Sequence, residues 1–205
     1  MFYQDPPQKS LRFGDVVQGY VLACPNIEDW PDNKDFIIDI NRSDLCVVLT
    51  PCCSIKDCVI SLAPLKKVPS DYFKNPYLAD DMTRINRKMT KYDAMNQYRR
   101  TKATPEEIEE AKRSERTFQF FDKFVYEKDK RFKDYEVEML DGTRIITSYY
   151  MINFKDFHKI KCNRILNSEK YPLETKLLQL SSDTRKELTE KITNYYRLPE
   201  EDLEG

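Results

Sequence analysis

The sequence predicts one soluble α+β domain: a small, strongly bent antiparallel β-barrel with a helical insertion and a closing C-terminal helix. Three observations lead there. Two short runs, Leu45-Cys46-Val47-Val48-Leu49-Thr50 and Cys58-Val59-Ile60-Ser61-Leu62-Ala63, are apolar and rich in β-branched residues, as buried strands are, and Pro51 and Pro64 stop them. Between residues 71 and 116 the chain turns charged and helix-forming. Near the end, Ser181 or Ser182 caps a helix whose apolar positions Leu188, Ile192, Tyr195 and Tyr196 share one face. At 205 residues the chain is the size of one domain. Residues 11–68 and 117–205 are assigned to the barrel and its C-terminal helix, and 71–116 to the insertion.

The elements follow in order. Residues 1–10 are polar and proline-rich and read as an extended arm. Leu11 to Leu22 reads as a strand entered through the Gly14-Asp15 turn, and Phe36 to Ile40 as a second short strand. Pro51 to Asp57 is short enough to connect a hairpin. Asp80 to Lys102 reads as basic helix. Thr104-Pro105-Glu106-Glu107 is a helix start, with a Thr N-cap, Pro in the first turn and acids at the positive end of the dipole, and that helix is expected to run to Arg116. Thr117 to Tyr126 is aromatic and strand-like. Tyr135–Leu140 and Thr143–Ser148 flank Asp141-Gly142, a favoured two-residue hairpin turn. Met151 to Ile160 continues the sheet, and Leu198-Pro199 ends the last helix. Strands near Val16, Val48, Ile60 and Ile145 are expected in one bent sheet, with the helix near Leu188 packed on it.

Composition narrows the function classes. The 34 basic and 35 acidic side chains leave a net charge of −1, so only local clustering can speak for a polyanionic partner. No apolar run reaches the length of a membrane span, and Met1 to Pro7 lacks the basic and apolar regions of a secretory signal. The expected setting is therefore the cytoplasm, with no membrane partner and with the six cysteines reduced. The glycines are too few and too scattered for a phosphate-cradling loop, and no cofactor is expected.

Three constellations could carry chemistry. Arg84, Arg87, Lys88, Lys91, Arg99, Arg100 and Lys102 form a basic stretch interleaved with Tyr92 and Tyr98 and opposed locally by Asp93. Clustered cations with stacking aromatics suit single-stranded nucleic acid, although the neighbouring acids Asp80, Asp81 and Glu106 to Glu110 also fit a solvated face. Cys52, Cys53 and Cys58, with Cys24, His158 and Cys162, contain sulfur and imidazole donors but no clean pair of zinc-binding spacing. The expectation is that Cys46 points into the core and that Cys52, Cys53 and Cys58 hold no metal, as buried thiols commonly behave. Zinc at Cys52, Cys53, Cys58, His158 and Cys162 stays open as the alternative. A Cys53–His158 nucleophile pair would need the chain's one histidine as base.

Three blocks resemble the MazF/PemK family, the barrel-fold toxins of bacterial toxin–antitoxin pairs. They are Phe13-Gly14-Asp15-Val16-Val17, then Cys46-Val47-Val48-Leu49-Thr50 with Val59-Ile60-Ser61-Leu62-Ala63-Pro64-Leu65, then Met151 to Ile165 with Lys176-Leu177-Leu178-Gln179-Leu180-Ser181. Leu49-Thr50-Pro51-Cys52-Cys53-Ser54-Ile55 is also similar to a bacterial branch with a Thr/Ser-x-x-Cys-Asp-Ile motif, with Ser54 in place of the Asp. The resemblance implies an SH3-like barrel and a toxin–antitoxin or phage-defence setting. A MazF-type ribonuclease uses an Arg just before the second strand and a Ser or Thr after the Ala-Pro strand. Asp44-Leu45 and Leu65-Lys66-Lys67 stand at those places here, so neither catalytic residue carries over. The leading reading is a non-enzymatic regulatory or binding module engaging nucleic acid or a protein partner, with a second copy of the chain a further candidate. The alternatives are an endoribonuclease with a relocated site drawing on Arg42, Thr50 or the insertion, and a zinc-stabilised interaction protein.

Overall fold

The computed structural model describes residues 1–26, 37–41, 43–51, 54–55, 59–161 and 175–197. These divide into two compact units. One comprises residues 1–65 with 155–185, the other residues 66–154 with the chain from Lys186 onward.

The first unit grows from the apolar runs. Strands β1 (Val16–Gln18), β2 (Leu22–Asn26), β3 (Ile37–Asn41), β4 (Leu45–Val48) and β5 (Val59–Pro64) come from its N-terminal segment. All four residues of β4 are buried, which explains why the run is apolar throughout rather than alternating. β1 pairs antiparallel with β4, and β4 with β5. The residue after β5 closes that ladder, Leu65 N donating to Leu45 O at 3.0 Å. Two further strands, residues 158–161 and 175–178, complete an open five-stranded antiparallel sheet. The first pairs with β5 and the second with β1, at opposite edges. The architecture is mixed α+β with antiparallel sheets, and the described residues form no closed barrel. Val17, Tyr20, Leu22, Cys46, Val48, Ile55, Ile60 and Leu62 make the core, so Cys46 points inward as expected.

One local expectation changes here and one holds. The predicted single strand from Leu11 to Leu22 is two strands, because Gly19 takes a left-handed backbone with φ of 87° and turns the chain between β1 and β2. Gly14, also left-handed at 83°, and Asp15 do form the predicted turn: Asp15 N donates to Arg12 O at 3.1 Å and Gly14 N to Val48 O at 2.7 Å.

That turn aims Asp15 into the unit, where its side chain is fully buried and paired with Lys176 at 2.6 Å. Asp15 Oδ2 also accepts from Arg12 N at 2.7 Å, while Oδ1 is buried with no hydrogen bond among the described residues. Lys176 spends its other donors on Ser10 O at 2.9 Å and Gln179 Oε1 at 2.7 Å. Desolvation raises the Asp15 pKa and lowers that of Lys176, each against the pull of the other's charge. The N-terminal arm is held from the same place. Gln4 N donates to Gln179 O, Gln8 N to Gln179 Oε1 and Ser181 N to Phe2 O.

The second unit opens with β6 (Lys66–Lys67) and then a series of short helices. These are α1 (Ser70–Phe73), α2 (Pro76–Ala79), a 3-10 turn (Met82–Asn86), α3 (Lys91–Ala94), α4 (Gln97–Lys102) and α5 (Pro105–Arg113). The expected basic helix from Asp80 to Lys102 is therefore broken into pieces. The reason is a succession of polar caps: Asp81, Thr90 and Asn96 each accept from a backbone N–H of the following turn and restart the chain. α5 starts as predicted, with Thr104 and Glu107 forming a reciprocal capping box. It ends at Arg113, where Ser114 caps it, rather than at Arg116.

β7 (Lys123–Tyr126) follows, then the hairpin β8 (Tyr135–Glu138) and β9 (Arg144–Thr147), then β10 (Tyr150–Asn153). The two strands already placed in the first unit are β11 (His158–Lys161) and β12 (Thr175–Leu178). β10 lies between β6 and β7 in a three-stranded sheet. Ile145 pairs with Val137 in the two-stranded β8–β9 sheet of the second unit, not with Val16, Val48 and Ile60 as expected. Its turn is one residue longer than predicted: Met139 N donates to Thr143 O at 2.8 Å and Gly142 N to Met139 O at 3.1 Å, so Leu140-Asp141-Gly142 forms a three-residue loop ending on Gly142 at φ of 81°. α6 (Ser182–Tyr195) begins in the first unit and continues in the second, its start capped by Ser181 Oγ, which accepts from Thr184 N at 3.2 Å. Leu188 is fully buried. Among the described residues no helix is long and apolar enough to cross a membrane.

The core of this unit joins Val68, Phe73, Leu78, Met82, Ile85, Met89, Val125, Val137 and Met151. Two polar side chains stitch it. Asn86 serves the free edge of β7 like a strand, donating to Val125 O at 2.8 Å and accepting from Val125 N at 2.7 Å. Asn86→Ala should cost about 2 kcal/mol, because two backbone groups lose partners in a dry site. A thermal melt shifted no further than that of an exposed-site alanine control would refute this role. Lys191, on α6, is fully buried, donates to Ile85 O and lies 5.5 Å from the Phe118 ring.

Candidate nucleic-acid interface

The predicted basic stretch does not form one face. Its members fall into three groups, decided by which local acceptors the short helices leave within reach. Arg84 and Arg100 are committed inward. Arg84 donates to Tyr77 O, lies 4.7 Å from the Tyr77 ring and is 3.8 Å from Asp80. Arg100 donates to Tyr92 O at 3.1 Å and covers the Tyr92 ring at 4.5 Å. Both use a guanidinium fork to satisfy carbonyls at helix ends, which isolated short helices leave open.

Arg87 and Lys88 are exposed but ion-paired, Arg87 with Asp81 at 3.9 Å and Lys88 with Glu190 at 3.3 Å. Pairs this exposed contribute little to stability, yet they neutralise the local field. Asp93, the acid within the stretch, also has a structural task. It closes the α3 capping box by accepting from Thr90 N at 3.3 Å.

The third group converges. Lys91, Arg99 and Lys102, with Arg113 from α5, are exposed and make no ion pair among the described residues. They line a groove of about 800 Å³ between α4 and α5, to which α3 also contributes. Met95, Ala103 and Ala111 supply apolar surface. Glu107, Glu110 and Glu115 contribute carboxylates, so four cations against three acids leave the groove at net +1. Lys91 N donates to Ser114 Oγ at 2.8 Å and Met89 bridges Thr117, which ties α3 to the end of α5 and holds the groove open. Tyr98 stands on α4 with 65% of its surface exposed, and Lys102 Nζ lies 4.3 Å from its ring centroid. Tyr92, by contrast, is flanked by Arg100 and, at 5.4 Å, Lys112.

Sequence reasoning found the cations, both tyrosines and the neighbouring acids Glu107 and Glu110, but not Glu115 or Arg113. The capping box at Thr104 announced α5; nothing in the sequence announced that α5 folds back on α3.

The other candidate chemistries fare as follows. Cys46 is fully buried, and desolvation pushes its thiol up to about 11, which makes it inert. Cys52, Cys53, Cys58, Cys162 and Arg42 lie outside the described residues. His158 sits half-buried on β11 opposite Leu62. No group of three or more His, Cys, Asp or Glu able to hold a metal occurs among the described residues. Thr50 is buried, and its hydroxyl oxygen accepts from Ser61 N at 2.6 Å. Comparison with family models, with curated proteins and with solved structures returns no match.

Proposed function

We propose that this chain is a non-enzymatic binding module of a bacterial toxin–antitoxin or phage-defence type system, engaging nucleic acid through the groove between α4 and α5. The setting, and a MazF-like descent for the antiparallel sheet of the first unit, rest on the three sequence blocks. Two MazF-type catalytic positions hold residues that cannot do that chemistry. Thr50, one of the residues an alternative active site could draw on, has its hydroxyl oxygen engaged by Ser61 N.

One observation carries the nucleic-acid reading. The cations of the basic stretch that make no ion pair among the described residues meet at one groove beside an exposed tyrosine. Phosphates supply the missing counter-charge, and each one bound releases condensed counterions. In fluorescence anisotropy with a labelled single-stranded RNA, Arg99→Glu with Lys102→Glu should weaken binding by about tenfold or more at low salt. The slope of log affinity against log salt should flatten by about one for each phosphate no longer engaged. Arg84→Glu with Arg87→Glu should leave affinity nearly unchanged, since those side chains serve Tyr77, Asp80 and Asp81. No binding at low salt would reject the nucleic-acid reading and leave a protein partner. RNA cleavage that disappears in Arg42→Ala would install the endoribonuclease in its place.

A further inference from the structure

We infer that the groove between α4 and α5 selects an unpaired base, stacked on Tyr98 and read along its donor edge by Glu110, so that guanine is preferred to uracil. This rests on the nucleic-acid reading above and specifies what is read there.

The groove carries both signs. Lys91, Arg99 and Lys102 come from α3 and α4, while the facing helix α5 contributes Glu107 and Glu110 together with Arg113. A wall of carboxylates repels phosphate, so a purely polyanionic ligand would meet both signs. A nucleotide is bipolar in the same sense. It carries anionic oxygens on one side and, on some bases, hydrogen-bond donors on the other. Glu107 is unavailable for reading because its carboxylate accepts from Thr104 N at 2.7 Å. Glu110 has no such commitment among the described residues, and an ionised carboxylate is acceptor-only. Guanine presents adjacent N1–H and N2–H donors that match two carboxylate oxygens. Uracil presents one N–H between two carbonyls, which a carboxylate repels.

Tyr98 supplies the platform. Its ring is mostly exposed, and among the described residues the Lys102 ammonium is the cation that lies over it. Stacking of a base on an exposed aromatic outweighs a solvated cation–π contact, so the base displaces Lys102 and releases it to a phosphate. Tyr92 cannot substitute, being already covered by Arg100. A volume of about 800 Å³ suits one or two nucleotides. In a duplex the Watson–Crick edge is occupied by pairing and the base is stacked, so the site selects single strands.

The test uses labelled RNAs of equal length: alternating guanosine and uridine, alternating inosine and uridine, all uridine, and a fully paired duplex. Wild-type protein should bind the guanosine strand about tenfold tighter than the uridine strand, with inosine between them because it keeps N1–H and lacks the amino group. Tyr98→Ala should lose about tenfold on the guanosine strand, and Tyr98→Phe should retain binding. Glu110→Gln should weaken the guanosine strand relative to uridine. Both positions are exposed, so neither change threatens folding. Equal affinity for guanosine, uridine and duplex, with Tyr98→Ala silent while Arg99→Glu with Lys102→Glu still abolishes binding, would overturn the inference and leave the reading standing. Uniform tightening by Glu110→Gln would overturn it as well, since the acid would then merely repel phosphate. Failure of the wild-type protein to bind any of these RNAs removes both.

Discussion

Lys176→Met should lower the unfolding free energy by about 3 to 5 kcal/mol, the usual effect of stripping one partner from a buried ion pair. Asp15 would remain fully buried, its Oδ1 without a hydrogen bond among the described residues, with the Arg12 N–H and the more distant Arg185 charge left to compensate it. Ser10 O and Gln179 Oε1 would lose a donor too, loosening the arm. The double change Asp15→Asn with Lys176→Met should recover most of the loss, because asparagine still accepts from Arg12 N and carries no charge. A pH dependence follows. Burial raises the Asp15 pKa above its unfolded value, so the native state takes up a proton more readily than the unfolded chain. Stability from such a group is present at low pH and is lost as pH rises through the folded pKa. The Lys176→Met penalty should therefore be smaller near pH 4 than near pH 7. Urea unfolding at both pH values decides it. A loss below about 1 kcal/mol, typical of surface pairs, would show that the pair is not desolvated as described.

Lys191→Met should change stability with a sign that depends on pH. The ammonium is fully buried, and desolvation lowers its pKa to about 7, with only partial help from Asp122. The unfolded chain keeps its lysine protonated to about pH 10.4, so between these values it binds more protons than the native state. Stability must then rise with pH across that window, by about 1.4 kcal/mol per unit for one proton. Methionine fills similar space without the burial penalty, but leaves Ile85 O without its donor, a loss of about 1 to 3 kcal/mol. The variant should thus be the more stable form near pH 6. Its advantage should shrink steadily as pH rises to about 9. Because both proteins keep Cys46 and the tyrosines, taking the difference between their urea midpoints cancels those titrations. Parallel curves would falsify the buried ammonium.

The parts of the fold that were legible are those where several neighbours agree. Leu45 to Val48 and Val59 to Ala63 are continuous apolar runs with prolines behind them, and Asp141-Gly142 marks the β8–β9 hairpin, though as the end of a three-residue loop. Thr104, Pro105 and Glu107 specify one helix start three ways. The misses turn on single residues. Gly19 bends what reads as one strand, and Asp81, Thr90 and Asn96 each interrupt what reads as one helix. Composition over a window averages such residues away; only the hydrogen bond each makes reveals it. Whether the sheet closes into a barrel depends on its edge strands β11 and β12, far apart in sequence from β1, and no local pattern encodes that. The site was legible to the same degree. The cations could be named, but Arg84 and Arg100 were assigned to a ligand when Tyr77 and Tyr92 already held them.

The pairing of β1 with β12 also bears on biosynthesis. The first unit is discontinuous: its N-terminal strands emerge from the ribosome early, while their edge partner begins at Thr175. The arm's contacts span still more chain, Gln8 meeting Gln179 across 171 residues. The second unit from β6 to β10 is synthesised in between and can collapse on its own contacts first. During that interval the open edge of β1 and the Asp15 carboxylate wait without Lys176, in a state with a bare strand edge. Closing so long a loop is entropically late and slow, which makes the nascent chain, rather than the finished protein, the form most exposed to mispairing with a neighbour on the same message.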